Sequence, residues 1–309
     1  VRVVFMGSGR FAVPSLVALL DAGHDVAAVL TQPDREQGRG RKLLPPPLKP
    51  AALERGLTVL QPERLRHPAL LSRLRETAAE LHVVVAYGRI LPPEMLAIPA
   101  LGNVNVHGSL LPRYRGAAPI AWAIVNGEAE TGVTTMLLDA GMDTGPTLLH
   151  RATAIGPEET AGELEPRLAA IGGSLLVETL QALHEGRVVP QPQDPRLASY
   201  APLLTKEHGR IDWGLAAPAV ERRIRGFQPW PGAFTHSDGR LLKLLKARVE
   251  AGRAGGPGTL LAVDGNGILV ACGESSALRL TELQPESRRG MSAAAFAAGA
   301  RLRAGDRFD

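Results

Sequence analysis

In the segment NVNVHGSLLPRYRGAAPI, residues 103–120, polar side chains alternate with valines, the pattern of a strand that gathers its polar groups on one face. Asn105 and His107 are two residues apart and project to the same side, with Asn103 on that face nearer the strand's start. Asparagine brings an amide donor, and histidine an imidazole whose ordinary titration lies near neutrality. A third candidate, Asp143, lies in LLDAGMDTGPTLL between Gly141 and Gly145. Those glycines are expected to take positive φ and let the loop approach another segment closely. Singly, each residue has a plain structural use: polar groups that end a strand, or an aspartate that forms a turn, as at Asp139. Together, amide, imidazole and carboxylate with no serine or cysteine nucleophile suit direct attack by a substrate amine. The amide and imidazole would stabilise a tetrahedral oxyanion, and the His–Asp pair would manage the proton.

Other chemistries find little support. The chain carries no HExxH, no CxxC and no His/Asp cluster at ligand spacing, so no metal is expected. It has no GxSxG elbow. Cys272 is the single cysteine, so no disulfide can form within the chain. GSGRFA, at residues 7–12, begins like a dinucleotide fingerprint but lacks the third glycine. Gly7 and Gly9 therefore read as turn glycines, with Arg10 and Phe11 near the substrate end.

The elements that must position these groups follow from periodicity. Val1–Met6 is a short apolar run, RFAVPSLVALLDAG has helical spacing closed by Gly23, and HDVAAVLTQ reads as a second buried strand. LTVLQP, LHVVVAYG and GNVNVHG look like further strands, with HPALLSRLRETAAE as a helix between two of them. Alternating strands and helices predict an α/β domain with a Rossmann-like, doubly wound, mostly parallel sheet. Ligands of such sheets sit beyond the carboxyl ends of the strands, where Asn105 and His107 would lie. After the helical stretch that ends near His184, the segment RVVPQPQDPRLASYAPLLTKEHG is rich in proline and polar residues and has no clear period. It reads as a linker. Beyond it come one helix, APAVERRIRGF, and short strand-like pieces separated by glycines: LLKLLKARVE, GTLLAVD, GILVACG and ALRLTELQ. That spacing fits a small β-barrel of the oligonucleotide-binding (OB) type. The expected division is a catalytic domain at 1–189, a linker at 190–204 and an OB-like domain at 205–309.

The chain's 309 residues exceed the size of most single cores. Its 45% hydrophobic and 21% charged residues are those of a soluble globular protein. No run approaches the roughly 20 apolar residues of a membrane span, and VRVVFMGSG does not read as a secretion signal. A cytoplasmic enzyme with no membrane partner is expected. The net charge of +4 is unevenly spread: from Thr205 onward there are 16 basic against 11 acidic residues, and before it 19 against 20. A basic C-terminal third points to an anionic partner.

Two segments, NVHGSLLPRYRGAAPI and ETGVTTMLLDAGMDTG, resemble the active-site region of the methionyl-tRNA formyltransferases. TQPDREQGRGRKLLPPPLK, VVVAYGRILP, RIDW and RGFQPWPGAF extend the likeness from Val3 to about Ala293. The resemblance implies a Rossmann-like domain, an extended linker and an OB-like domain. It implies transfer of a formyl group from 10-formyltetrahydrofolate to the α-amino group of methionine on initiator tRNA, by a monomer and without a metal. It carries the catalytic roles to Asn105, His107 and Asp143, and the folate-binding turn to Ser109, Leu110, Leu111 and Pro112. It also assigns tRNA binding to Arg35, Arg39, Arg41 and Lys42, in a glycine-containing basic loop whose phosphate contacts would position the acceptor end. Arg39 stands where the family's loop matters most. Arg222, Arg223, Arg225, Lys243, Lys246 and Arg248 are further candidates to follow the tRNA backbone. Two departures stand out: GSGRFA where GTPxFA is more frequent, and Tyr114 where tryptophan is frequent. A formyltransferase for a small amine, a nucleotide-dependent oxidoreductase and a noncatalytic RNA-binding protein are the alternatives.

Overall fold

The computed structural model describes residues 1–37, 42–251 and 255–309, without the Gln37 side chain. Seven strands build the first sheet: β1 (Arg2–Gly7), β2 (Asp25–Leu30), β3 (Val59–Leu60), β4 (Leu81–Val85), β5 (Asn103–His107), β6 (Glu130–Leu137) and β7 (Thr147–Ala154). Their order is β7-β6-β5-β4-β1-β2-β3. The run from β5 to β3 is parallel, whereas β6 pairs antiparallel with β5, and β7 with β6. The central strands β4 and β5 are buried along their whole length, the polar His82, Asn103, Asn105 and His107 included. The direction of strand order reverses around β1, so the carboxyl ends of β1, β4 and β5 open on the crevice where ligands of such sheets bind.

Helices cover the sheet. Helix Val13–Asp21 has proline in its first turn and stops before Gly23, whose φ is +78°. The long helix Ala161–His184 comes unusually close to its neighbours at IGG. A Cβ on Gly172 would lie 2.9 Å from the Val106 side chain, and one on Gly173 would lie 2.9 Å from the Pro14 carbonyl oxygen. Glycine at 172 therefore sets the distance between this helix and the strand that carries His107, and glycine at 173 its distance from helix Val13–Asp21. The Thr179 and Thr135 hydroxyls, 2.8 Å apart and buried, tie the helix to β6.

The sequence reading missed β6 and β7 as strands, since threonines interrupt one and exposed polar residues break the pattern of the other. The unpatterned PQPQDPRLASYA is also more ordered than a free linker. Gln191 exchanges two backbone hydrogen bonds with Thr147, and Tyr200–Ala201 pairs in parallel with Arg115–Gly116.

The chain divides into two compact units, residues 1–119, 130–154 and 165–201, and residues 120–129, 155–164 and 202–309. The second is built on an antiparallel sheet of β8 (Phe234–Ser237), β9 (Arg240–Glu250), β10 (Leu260–Asp264), β11 (Gly267–Ala271), β12 (Ala277–Pro285) and β13 (Met291–Ser292). The order is β8-β9-β12-β11-β10, with β13 paired to β12. Ile211, Trp213, Val220, Leu244, Leu278 and Phe308 belong to its core. The C-terminal residues hydrogen-bond Leu260 and Gly258 beside one edge strand and His236 on the other, joining the two edges through the tail. Among the described residues no helix is long and apolar enough to cross a membrane.

Candidate active site

His107 is the last residue of β5, and its imidazole is hydrogen-bonded at one nitrogen and faces a carboxylate with the other. Nε2 lies 2.8 Å from the Tyr114 carbonyl oxygen. A carbonyl only accepts, so Nε2 carries the hydrogen, and in the neutral ring Nδ1 is the basic nitrogen. Nδ1 faces Asp143 Oδ2 at 3.7 Å, too far for a strong hydrogen bond but close enough for attraction once the ring is charged. The same Oδ2 accepts the Gly116 backbone N–H at 2.8 Å, which fixes the carboxylate's direction. Both side chains are largely buried, with 7% and 16% of their surface exposed.

Asn105 lies on the same face of β5 and is 8% exposed. Its amide makes no hydrogen bond among the described residues. The amide atoms do not belong to the buried groups that lack a partner among the described residues, so they stay open to a hydrogen-bonding group from solvent. Asn103 is different: its Oδ1 accepts from His82 Nδ1 at 3.1 Å, and its Nδ2 donates to the Leu96 carbonyl at 2.7 Å. Of the three polar residues on this face, only the two nearer the carboxyl end remain for chemistry.

The turn that supplies Tyr114 and the loop that supplies Asp143 are both unusual in backbone. Tyr114 has φ +60° and Asp143 φ +54°, the left-handed region that side chains rarely adopt. Positive φ was expected at Gly141 and Gly145; it falls on Asp143 itself. The neighbouring glycines serve close approach instead: a Cβ on Gly145 would collide with the Leu137 carbonyl oxygen, and one on Gly141 with the Thr144 hydroxyl. Asp139 closes the loop from within, accepting from the Gly141 N–H at 2.9 Å and from the Thr144 hydroxyl at 2.7 Å. Gly116, at φ +114°, permits contact with the linker, since a Cβ there would lie 2.7 Å from the Ala201 carbonyl oxygen.

The SLLP turn follows His107 directly. The Ser109 hydroxyl donates to the Arg113 carbonyl at 2.6 Å, and its own carbonyl accepts from the Thr134 hydroxyl at 2.7 Å. Ser109 is thus engaged in the turn itself, and half-buried Leu110, Leu111 and Pro112 present its remaining surface. Several residues of this site escaped the sequence reading: the Tyr114 carbonyl, the Gly116 N–H, Thr134 and Gln193. Backbone groups leave no signature in residue type, and Gln193 was hidden in a segment read only as linker.

In the basic loop, Arg39 and Arg41 lie outside the described residues. Arg35 and Lys42 are exposed and stand at opposite ends of a short antiparallel pair, Arg35–Gln37 with Lys42–Leu44. The loop's base is anchored at Asp34, which accepts from Gln61 Nε2 at 2.6 Å and Lys49 Nζ at 2.8 Å. Gln61 first, then Lys49, holds this carboxyl below its ordinary range. In the second unit, Arg225 pairs with Glu221 and donates to the Glu159 carbonyl, and Arg222 donates to the Val125 carbonyl. Lys246 and Arg248 pair with Glu158 and Glu250. Much of the basic charge considered for tRNA is therefore partnered internally. Among the described residues no group of His, Cys, Asp and Glu is placed to hold a metal ion.

The Formyl transferase family model matches residues 1–180, and the model of the formyl transferase C-terminal domain matches residues 203–301. A methionyl-tRNA formyltransferase of Geobacter metallireducens is 50% identical over 306 residues, covering 99% of this chain and 98% of that protein. Among solved structures, the fold resembles an N-formyltransferase from Helicobacter canadensis, in complex with folinic acid and dTDP-3-aminofucose. The TM-score is 0.66 at 18% identity, over 92% of this chain and 98% of that one. HypX from Aquifex aeolicus in complex with tetrahydrofolic acid gives a TM-score of 0.63 at 19% identity over 96% of this chain, which spans 46% of HypX.

Proposed function

The chain belongs to the formyl transferase family in both its N-terminal and C-terminal domains, and from that premise we propose that it formylates the α-amino group of methionine carried by initiator tRNA. The formyl donor is 10-formyltetrahydrofolate. The relative from Geobacter metallireducens, similar along essentially its whole length, supports this substrate over a small amine. The observation that carries the reading is the arrangement of Asn105, His107 and Asp143 at the end of β5.

That geometry divides the labour. The His107 Nε2 hydrogen is already engaged by Tyr114, so in the neutral ring it is Nδ1 that can take a proton. An attacking amine loses a proton, and α-amino groups titrate near pH ~8, so a fair share is already neutral. A proton accepted at Nδ1 creates an imidazolium 3.7 Å from the Asp143 carboxylate, and that proton goes on to the folate nitrogen as its bond to the formyl carbon breaks and tetrahydrofolate leaves. Asp143 thereby orients the ring and faces the charge that forms on it during transfer. Asn105, whose amide is free among the described residues, donates to the formyl oxygen as negative charge develops there. The SLLP turn, Ser109 to Pro112, offers the folate a largely apolar surface beside these groups.

Arg35, Arg39, Arg41 and Lys42 grip the acceptor end of the tRNA, and the basic C-terminal residues follow its backbone. Residues 1–189 carry catalysis, 190–204 link, and 205–309 bind tRNA. The protein acts as a cytoplasmic monomer. The test is a transfer assay with 10-formyltetrahydrofolate and initiator methionyl-tRNA. Wild type is expected to place formyl on the ester-linked methionine, and Asn105→Ala to lose roughly 10²–10³ in turnover. Transfer only to an amino-sugar nucleotide, or equal turnover by the variant, would refute the reading.

A further inference from the structure

We propose that Gln193 is a positioning residue for the reaction: one side-chain amide ties the Asp143 loop to the turn after Tyr114, and so sets both groups that hold the His107 imidazole. The inference rests on the formyl-transfer reading above. Gln193 Nε2 donates to the backbone carbonyls of Asp143, at 2.9 Å, and Gly145, at 2.7 Å. Its Oε1 accepts from Arg115 Nε at 3.0 Å and Nη2 at 2.8 Å. Arg115 directly follows Tyr114, whose carbonyl receives the His107 Nε2 hydrogen, and Asp143 carries the carboxylate that faces Nδ1. All four bonds of a single amide thus join the supports of the two ring nitrogens.

Two features make such a tie necessary. Tyr114 and Asp143 both sit at positive φ, so neither segment holds its shape by local preference. Arg115 is 5% exposed, and no carboxylate pairs with it among the described residues; its guanidinium donates to the Gln193 side-chain carbonyl instead. A buried guanidinium without that acceptor would move to find another, taking the Tyr114 carbonyl with it.

The tie acts on geometry more than on the fold, because the linker backbone is docked independently on either side. Gln191 exchanges backbone bonds with Thr147, while Ser199 accepts the Arg115 N–H through its carbonyl and the Tyr114 N–H through its hydroxyl. Replacing the Gln193 side chain leaves those contacts in place.

The experiment measures single-turnover formyl transfer with enzyme in excess, together with KM for 10-formyltetrahydrofolate and initiator methionyl-tRNA. Gln193→Met keeps the length and removes all four hydrogen bonds. The transfer rate is expected to fall roughly 10–100-fold with both KM values little changed, as a misplaced catalytic group requires. In an Asp143→Asn background the same substitution is expected to cost clearly less than in wild type, since the carboxylate arm is already gone and only the Tyr114 arm remains to be lost. Gln193→Glu retains an acceptor for Arg115 but loses both donations to the Asp143 loop, and is expected to be as defective as Gln193→Met. It decides the matter if the methionine variant folds poorly. A rate within twofold of wild type for either folded variant, or an equal fractional loss in both backgrounds, would overturn the proposal. A wild-type protein that transfers no formyl group would instead refute the functional reading on which it stands.

Discussion

On the proposed function, the chemistry turns on a small asymmetry around one imidazole. Tyr114 takes the Nε2 hydrogen at hydrogen-bond distance, while Asp143 waits 3.7 Å from Nδ1. A carboxylate at that range does little for a neutral ring and much for a protonated one, especially where water is largely excluded. Asp143→Asn preserves shape and the contact with the Gly116 N–H but removes the charge. Turnover should then fall about 10²–10⁴-fold, the range of a lost acid–base partner, while folate affinity stays near wild type. Equilibrium folate binding and single-turnover transfer on the same samples check this, and near-normal turnover would remove Asp143 from the account. The Asn105–His107 pair was legible because strand alternation fixes which side chains share a face. Asp143 was legible only through resemblance, since a lone aspartate between glycines has many uses. The Tyr114 carbonyl and Gly116 N–H could not be read at all, because every residue has a backbone and only the fold says which one is aimed.

Among the elements, the pairing of β4 with β5 carries a titratable group that the chemistry does not use. His82 on β4 is fully buried, and its Nδ1 must be the protonated nitrogen because Asn103 Oδ1 only accepts. Among the described residues its Nε2 has no partner, so charging this ring would place an unpartnered N–H inside the sheet. Burial holds its pKa down to about 4, against an ordinary 6.5. Above the ordinary value the ring is neutral in both folded and unfolded chains, and contributes no pH dependence. As pH falls from there towards 4, the unfolded chain takes up a proton that the folded one refuses, so stability drops. Below the folded pKa the loss levels off. Between pH ~7.5 and ~5, wild type should lose about 2 kcal/mol more than His82→Gln, read from urea unfolding at the two pH values. Parallel losses in the two proteins would show that His82 does not titrate this way. The parallel strands and their helices were legible because buried apolar runs and 3.6-residue spacing are strong signals. β6 and β7 were not, since their threonines and exposed edge blur the alternation. The docked linker was not legible either, because its order comes from partners distant in sequence, such as Thr147 and Arg115.

For the whole molecule, the excess positive charge after Thr205 raised the expectation of an anionic partner, but the structure tempers it. Arg225, Lys246 and Arg248 each have a carboxylate within their own unit. Charge counts cannot foresee such pairing, because it depends on where the chain folds back. On the proposed function, binding to tRNA would draw on a net field and on the basic loop more than on a row of free cations. Substrate choice belongs to this scale: the acceptor amine is the same on methionyl-tRNA and on methionine methyl ester, and only the first offers phosphates and an acceptor stem. Remote contacts of that kind raise the rate at the reacting centre as well as the affinity. The most direct measurement compares kcat/KM for formyl transfer from 10-formyltetrahydrofolate to initiator methionyl-tRNA and to methionine methyl ester, at low and raised salt. The account predicts a preference for the tRNA on the order of 10² or more, shrinking as salt rises while transfer to the ester is unaffected. Equal efficiency on the two acceptors, or no transfer to methionyl-tRNA at any salt concentration, would contradict it.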